Sequence, residues 1–190
     1  MAKKESSLKN MIISLVSISF IASLALGGVY LVTKDPIALA ARAKQENAIK
    51  EVVPEFDSLH SFKIMPDNGK DSITINEAYK AGTLVGTAVG TYSNKGYDAT
   101  QIQIMVGFLP DGSINNISVV QQKETPGLGT KMKEPKFKDQ FNKKNPASYS
   151  LKVKKDGGQV DAITAATISS RAFCDAVDRA YRNYQKKGGN

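Results

Sequence analysis

The N-terminal part of the chain contains an apolar run that restricts what this sequence can fold into. Residues 11–33 carry no charged side chain and are rich in Leu, Ile, Val, Ala and Ser. A helix of about 20 apolar residues spans a hydrocarbon core of about 30 Å, because each residue adds about 1.5 Å of rise. The run therefore predicts a transmembrane helix over residues 11–33, preceded by a short tail of residues 1–10.

A cleaved signal peptide is the competing interpretation of this run. Such a peptide has an apolar core of about 7–15 residues followed by a site of small residues. The core here is longer and continues through Leu31 and Val32, which favours an uncleaved anchor, while the small residues in the segment 22–28 leave cleavage open. Basic residues stand on both sides of the run, so their distribution does not orient the helix across the membrane.

The remainder of the chain predicts one α+β domain with a mainly antiparallel sheet and flanking helices, placed at residues 72–190. A helix and a linker are predicted before it, at residues 34–71, because Pro54 ends a helical pattern and Pro, Asn and Gly follow. The predicted helices are residues 36–53, residues 134–144 and a C-terminal helix beginning near residue 167; the predicted strands are residues 84–92, 101–108, 114–120 and 150–154; residues 55–71 are predicted to be a loop.

Charge and composition limit the classes of function. The formal net charge of +8 is spread over the chain, and nucleic-acid binding fits poorly with an anchor and with the lack of a nucleic-acid-binding motif. An ordinary solvated surface, contact with anionic lipid head groups, and docking to acidic partner subunits all fit better. Cys174 is the single cysteine and is predicted to be a buried structural thiol, and the lone His60 a surface residue. Without Cys or His clusters, no iron–sulfur or zinc site is expected.

Small and hydroxyl-bearing residues are concentrated at residues 161–170, with the sequence DAITAATISS, which we call the hydroxyl run. Asp, Thr and Ser are ordinary helix N-caps, so the run could simply begin the C-terminal helix. In that position Thr167 would lie at the helix N-terminus, where unpaired N–H groups and the helix dipole favour an anion. Arg171 would add positive charge there if it faces the same way.

The hydroxyl run resembles the flavinylation motif of the FMN-binding domain family. In that motif an Asp precedes Ser/Thr-Gly-Ala-Thr, and the last Thr carries FMN through a phosphoester bond. Ala165 stands where the family usually has Gly, and Ser169 and Ser170 are neighbouring hydroxyls that leave the attachment atom open. Matched residue by residue, the resemblance assigns the acid to Asp161, the Ser/Thr to Thr164, the Ala to Ala166 and the covalent FMN to Thr167, and adds Ile168 to the cofactor-binding set.

A second motif, residues 124–129 with the sequence ETPGLG, resembles the family signature that lines the flavin ring. Its glycines allow a close approach to a flat ligand, and Pro126 stiffens the turn. Together the resemblance covers residues 85–185. It assigns ring contacts to Glu124, Thr125, Leu128, Gly129, Thr130 and Lys131.

The whole pattern most resembles the G subunit family of the Rnf complex, an ion-translocating ferredoxin:NAD oxidoreductase. The resemblance implies covalent FMN attached by a flavin transferase and other Rnf subunits as partners. It further implies that residues 1–10 are a cytoplasmic tail and that the C-terminal domain lies on the outer or periplasmic side of the bacterial cytoplasmic membrane. It also implies electron transfer between ferredoxin and NAD coupled to sodium or proton translocation, with no activity of the chain alone. Two alternatives stay open: the C subunit of a sodium-pumping NADH:quinone reductase, and a non-catalytic anchored domain that binds lipid or a partner.

Overall fold

The computed structural model describes residues 7–66 and 71–187. The chain divides into two compact units, Met1–Ala43 and Lys44–Asn190. Most of the predicted N-terminal tail, residues 1–6, lies outside the described residues.

Helix α1 is Leu8–Val52 and contains the whole apolar run. Within the described part of the chain, it is the one helix that is long and apolar enough to cross a membrane. The sequence predicted two separate helices, residues 11–33 and residues 36–53. That division is wrong, because α1 is one continuous helix that includes Pro36. A proline removes one backbone hydrogen bond and disfavours the preceding turn. The helical segments on both sides of Pro36 are long, and α1 continues through this position.

A five-stranded antiparallel sheet, whose strands lie side by side in sequence order, forms the centre of the second unit. The strands predicted at residues 84–92, 101–108 and 114–120 are confirmed. The predicted loop at residues 55–71 is wrong over its middle, which forms the strand Ser58–Ile64 (β1), where Phe62 is the register partner of Ile75. Residues 67–70 of that loop lie outside the described residues. Edge strand β1 is largely exposed, so its sequence lacks the apolar alternation of a buried strand. The strands are β1 Ser58–Ile64, β2 Ile73–Lys80, β3 Thr83–Ser93, β4 Ile102–Phe108 and β5 Ile114–Gln121.

Two other predicted elements are also wrong. The helix expected at residues 134–144 is a four-residue helix α2, Pro135–Lys138, followed by the 3₁₀ turn Asp139–Phe141. The strand expected at residues 150–154 is limited to one bridge between Val153 and Val160. Leu151 and Val153 are buried as strand residues would be, but no neighbouring strand among the described residues pairs with their backbone. The C-terminal helix is confirmed as α3, Thr167–Lys187.

The sheet has an apolar layer on each face. Val89 and Val106 point towards α3 and pack in one core with Phe173. Ala88 and Met105, one residue along the same strands, belong to a second core with Val52. Because successive strand residues face opposite sides, the last turns of α1 cover the face of the sheet opposite to α3.

The C-terminal end of α1 is held by polar groups of β5. The Asn115 side chain donates a hydrogen bond to the Val52 carbonyl at 2.8 Å, and the Asn116 side chain donates one to the Glu51 carbonyl at 3.1 Å. These amides satisfy carbonyls that the helix itself leaves unpaired at its end. Gly107 permits this approach, because a Cβ atom there would overlap the Val52 carbonyl group.

We expect Gly107→Ala to destabilise the domain by about 1–3 kcal/mol, because the end of α1 must move away from the sheet to admit the methyl group. Chemical unfolding of the full chain in detergent measures this loss. Gly90→Ala is the matched control on β3, since its added Cβ would meet the flexible end of Met105 no closer than 3.5 Å. Equal stability of the two variants would contradict the prediction.

Candidate functional site

The hydroxyl run folds as a turn that leads into α3. Thr164 and Ala165 form the turn, and Thr167 is the first residue of the helix. The Ser170 hydroxyl accepts a hydrogen bond from the Ile163 N–H at 2.9 Å and donates one to the Ala166 carbonyl at 2.9 Å. The turn is therefore tied to the first turn of α3, which fixes the position of Thr167.

Ala165 has a left-handed backbone conformation, with φ at 60°. A side chain in this region crowds its own backbone, and glycine avoids that cost. A Gly at this position of the motif therefore suits the turn. In this chain the position is occupied by Ala165, which has the smallest side chain after Gly and keeps the same turn.

The hydroxyl groups near the start of α3 differ in their environment. Ser169 and Ser170 are buried, at 2% and 0% exposed, and both are engaged in hydrogen bonds. Thr167 is only half-buried, and in the described part of the chain nothing hydrogen-bonds to its hydroxyl. Within the first turn of α3, the Thr167 hydroxyl is thus the one that is free to react.

An open pocket of about 510 Å³ lies beside Thr167, and we call it the Thr167 pocket. Its volume is in the range of about 300–1,000 Å³ that is typical of small-molecule sites. The walls come from three segments that are far apart in sequence, and none of the lining side chains is charged. They are Tyr97, Thr125, Leu128, Gly129, Ala165, Ala166, Thr167, Ile168 and Ser169.

The rim of the Thr167 pocket is apolar and exposed. Tyr97, Leu128 and Ile168 are 72%, 38% and 47% exposed. Outside α1, the only other large hydrophobic residues with comparable exposure in the described chain are Leu59 and Met65. Exposed apolar residues that gather at one concave site are typical of a binding site.

The segment 125–130 is a tight turn followed by the 3₁₀ turn Gly129–Lys133. The N–H groups of Leu128 and Thr130 donate to the Thr125 carbonyl at 3.1 Å and 3.4 Å. The Thr130 hydroxyl accepts a hydrogen bond from the Gly127 N–H at 3.0 Å, where Gly127 has a φ of 74°. Thr130 therefore shapes the turn and does not line the pocket.

Glu124 lies behind the pocket wall and is only 3% exposed. Its carboxylate accepts hydrogen bonds from the Tyr97 N–H at 3.0 Å, the Asp98 N–H at 3.4 Å and the Ser169 hydroxyl at 2.5 Å. A Cβ atom on Gly129 would lie 2.6 Å from the Ser169 hydroxyl. The absent side chain of Gly129 thus makes room for the Glu124–Ser169 contact, and not only for a flat ligand.

Three of the expected site residues lie around a different cavity. Lys131, Asp161 and Thr164 line a cavity of about 180 Å³ together with Phe137 and Gln140. Asp161 is exposed and forms an ion pair with Lys154 at 2.7 Å. The structure therefore separates the expected set: Thr164 lines one cavity, Ala166 lines the other, and Glu124 and Thr130 line neither.

Arg171 faces away from the Thr167 pocket. Its guanidinium donates two hydrogen bonds to Asp156, at 2.7 Å and 2.6 Å. These hydrogen bonds hold the pKa of the Asp156 carboxyl below its usual value. Arg171 lines another cleft together with Cys174, so the expected positive charge beside Thr167 does not come from this residue.

Cys174 is buried in α3, as predicted, and is 4% exposed. Burial raises the pKa of its thiol to about 12. A thiol that stays protonated is a poor nucleophile and metal ligand. In the described part of the chain, no group of three or more Cys, His, Asp or Glu residues could hold a metal ion.

Tyr97 was not predicted as a site residue. It is the most exposed side chain of the pocket rim, and Glu124 binds its backbone N–H. Tyr97 lies within residues 85–185, the range that resembles the FMN-binding domain family, and this range was the only indication that the sequence offered for it. Nothing in the local sequence placed Tyr97 next to residues of α3, which lie far along the chain.

We expect Ala165→Gly to leave stability unchanged or to raise it by up to about 1 kcal/mol, because relief of the left-handed conformation offsets the added freedom of the unfolded chain. Ala166→Gly is the matched control: Ala166 is buried and does not have a positive φ, so its replacement should cost about 1 kcal/mol. Thermal unfolding of the two variants measures the difference. An equal loss in both would show that the turn does not depend on the φ of Ala165.

Comparisons with known proteins show which proteins this chain is similar to. A family model described as FMN-binding domain matches residues 96–182. Relatives named as the G subunit of an ion-translocating oxidoreductase complex include one of Methanosarcina acetivorans, which is 34% identical over 89% of this chain and 90% of that protein. The relative of Haemophilus influenzae is 30% identical, over 86% of this chain and 83% of that protein. The relative of Aliivibrio fischeri is 33% identical, over 83% of this chain and 82% of that protein. A crystal structure of Shewanella oneidensis NqrC matches with a TM-score of 0.44 and 21% identity, over 70% of this chain and 65% of that one.

Proposed function

Because this chain belongs to the G subunit family of ion-translocating oxidoreductase complexes, we propose that it is a membrane-anchored electron-transfer subunit that carries FMN on Thr167 through a phosphoester bond. The observation that supports this most directly is the position of Thr167. Its unpaired hydroxyl stands at the first residue of α3, on the wall of an uncharged pocket with an apolar rim.

The residues of the pocket fit the two ends of FMN. A phosphate esterified to Thr167 keeps one negative charge, and the first N–H groups of α3 and the helix dipole stabilise an anion at that place. Among the described residues, no charged side chain lines the pocket itself. Tyr97, Leu128 and Ile168 offer apolar and aromatic surface at the rim, which suits a flat ring system.

The remaining residues of the hydroxyl run support attachment at Thr167 by their size and position. Ala165 and Ala166 line the pocket next to Thr167 with methyl groups only, which leaves space for a flavin transferase to approach the hydroxyl. Ser170 holds the turn through its two hydrogen bonds. Asp161 and Thr164 lie at the neighbouring cavity, where a transferase could contact them without displacing the flavin.

Bound FMN supplies one- and two-electron redox chemistry, and the protein supplies the position and the environment of the ring. The half-exposed rim residues leave one edge of the pocket open to solvent, as transfer to a neighbouring carrier requires. Covalent attachment prevents loss of the cofactor from a domain that we place on the outer or periplasmic side of the bacterial cytoplasmic membrane.

The partners that we propose follow from family membership and from the anchor. Helix α1 holds the chain at the membrane, beside the other subunits of an Rnf complex, and the electrons pass between ferredoxin and NAD with export of sodium or protons. The chain is not active by itself. The names of the relatives favour this assignment over the C subunit of a sodium-pumping NADH:quinone reductase and over a non-catalytic lipid-binding domain.

We expect Thr167→Ala to abolish the attachment of FMN in cells that contain the flavin transferase. Mass spectrometry of the tryptic peptide 156–171 measures the adduct in the native chain and its absence in the variant. Thr83→Ala is the matched control, because Thr83 is an exposed hydroxyl at the start of β3 that lies outside the hydroxyl run and lines neither cavity. An adduct that persists in Thr167→Ala would move the attachment to another hydroxyl, and a native chain without any adduct would overturn the flavoprotein assignment.

A form that begins at Asp35 should fold and accept FMN, because it keeps Ala48, Ile49 and Val52, which are buried in the domain. A form that begins at Pro54 lacks these side chains and should be markedly less stable, since it exposes one apolar face of the sheet. Circular dichroism during heating compares the two forms.

Addition of the Asp35 form to membranes that lack the full chain should not restore ferredoxin-dependent reduction of NAD. Electron transfer requires a fixed position of the flavin relative to its neighbours, which the anchor provides. The full chain reconstituted in the same membranes is the control. Full recovery with the truncated form at a stoichiometric concentration would show that the anchor is dispensable.

A further inference from the structure

We propose that Glu124 is a positioning residue for the flavin site: its buried carboxylate joins the three segments that form the Thr167 pocket, and its negative charge lowers the midpoint potential of the flavin held there. This inference rests on the function proposed above. It differs from the ring contact that the sequence motif implied, because Glu124 does not line the pocket.

The hydrogen bonds of Glu124 connect three segments of the described chain that lie far apart in sequence. One carboxylate oxygen accepts from the backbone N–H groups of Tyr97 and Asp98, at 3.0 Å and 3.4 Å. The other accepts from the Ser169 hydroxyl at 2.5 Å. Glu124 itself precedes the turn that carries Leu128 and Gly129. All three walls of the pocket therefore meet at one carboxylate.

Two glycines make room for this carboxylate. A Cβ atom on Gly96 would lie 2.5 Å from one oxygen of Glu124, and a Cβ atom on Gly129 would lie 2.9 Å from the other. Neither glycine has a positive φ, so close approach, and not backbone conformation, requires the absence of a side chain. Both glycines and Glu124 thus form one packing unit behind the pocket wall.

The negative charge of Glu124 is in direct contact with the pocket wall. Ser169 lines the pocket and donates its hydroxyl hydrogen bond to Glu124. Gly129 also lines the pocket, and a Cβ atom on it would lie 2.9 Å from a Glu124 carboxylate oxygen. Within the described residues, no Lys, Arg or His forms an ion pair with Glu124. Electrostatic effects are strong where water is excluded. Reduction adds negative charge to a flavin, so an uncompensated carboxylate behind the pocket disfavours the reduced state.

Glu124→Gln removes the negative charge of the side chain and keeps its hydrogen bonds. Its amide oxygen can accept from the Tyr97 and Asp98 N–H groups, and its NH₂ group can donate to the Ser169 oxygen. We expect the same yield of flavin adduct by mass spectrometry, and a higher midpoint potential in a spectroelectrochemical titration of the purified full chain. Glu55→Gln is the matched control, because Glu55 is highly exposed and pairs with Lys80; its potential should equal that of the native chain.

Glu124→Ala and Ser169→Ala test the positioning role. Glu124→Ala leaves three donors without their acceptor, and Ser169→Ala removes one of the three bonds and keeps the charge. In chains prepared without flavin, amide hydrogen exchange at Tyr97 and Asp98 should be faster in Glu124→Ala than in the native chain and close to native in Ser169→Ala. Flavin attachment should fall in Glu124→Ala.

The outcomes distinguish this inference from the function on which it rests. A native chain that gains no FMN overturns the proposed function, while the exchange data on the flavin-free chain still decide the positioning role. A flavinylated Glu124→Gln with the potential of Glu55→Gln overturns the electrostatic role. Native exchange rates at Tyr97 and Asp98 in Glu124→Ala overturn the positioning role. If Glu124→Ala does not fold, the same measurement on Glu124→Asp decides it. The shorter side chain moves the carboxylate away from the Tyr97 and Asp98 N–H groups, so exchange there should be faster than in the native chain, and native rates overturn the role.

Discussion

The packing of α3 on the sheet is the interaction on which the rest of the site depends. Phe173 is fully buried, and its ring centroid lies 5.2 Å from those of Phe137 and Phe141. The Thr91 hydroxyl of β3 donates to the Ala176 carbonyl at 3.3 Å. These contacts fix the axis of α3, and because Thr167 is its first residue, they fix the attachment point that we propose for the flavin.

The opposite face of the same sheet is covered by the last turns of the helix that carries the anchor. The Asn115 and Asn116 amides bind carbonyls of Val52 and Glu51, and Lys138 forms an ion pair with Glu51 at 3.0 Å. The helix therefore ends inside the folded domain and not in a flexible linker. Its last two turns supply one of the two apolar layers that shield the sheet from water.

The motif residues divide by their task once the fold is known. Thr125, Leu128 and Ile168 lie at the pocket, whereas Glu124 and Thr130 support it from behind or within the turn. The two glycines of the motif are required for different reasons. Gly127 has a positive φ, and Gly129 leaves room for the close approach of Glu124 and Ser169. The motif therefore contains both residues that line the pocket and residues whose packing shapes it.

The sequence by itself determined the apolar helix, the strands β3, β4 and β5, and the helix that begins at Thr167, because each has a local periodicity or a local capping pattern. It determined neither β2, which was not predicted, nor β1, whose exposed residues gain their structure from pairing with β2. Nor did it separate Lys131, Asp161 and Thr164 from the Thr167 pocket, or place Tyr97 in it. Those placements depend on contacts between distant segments, above all through the buried Glu124, and only the tertiary structure decides them.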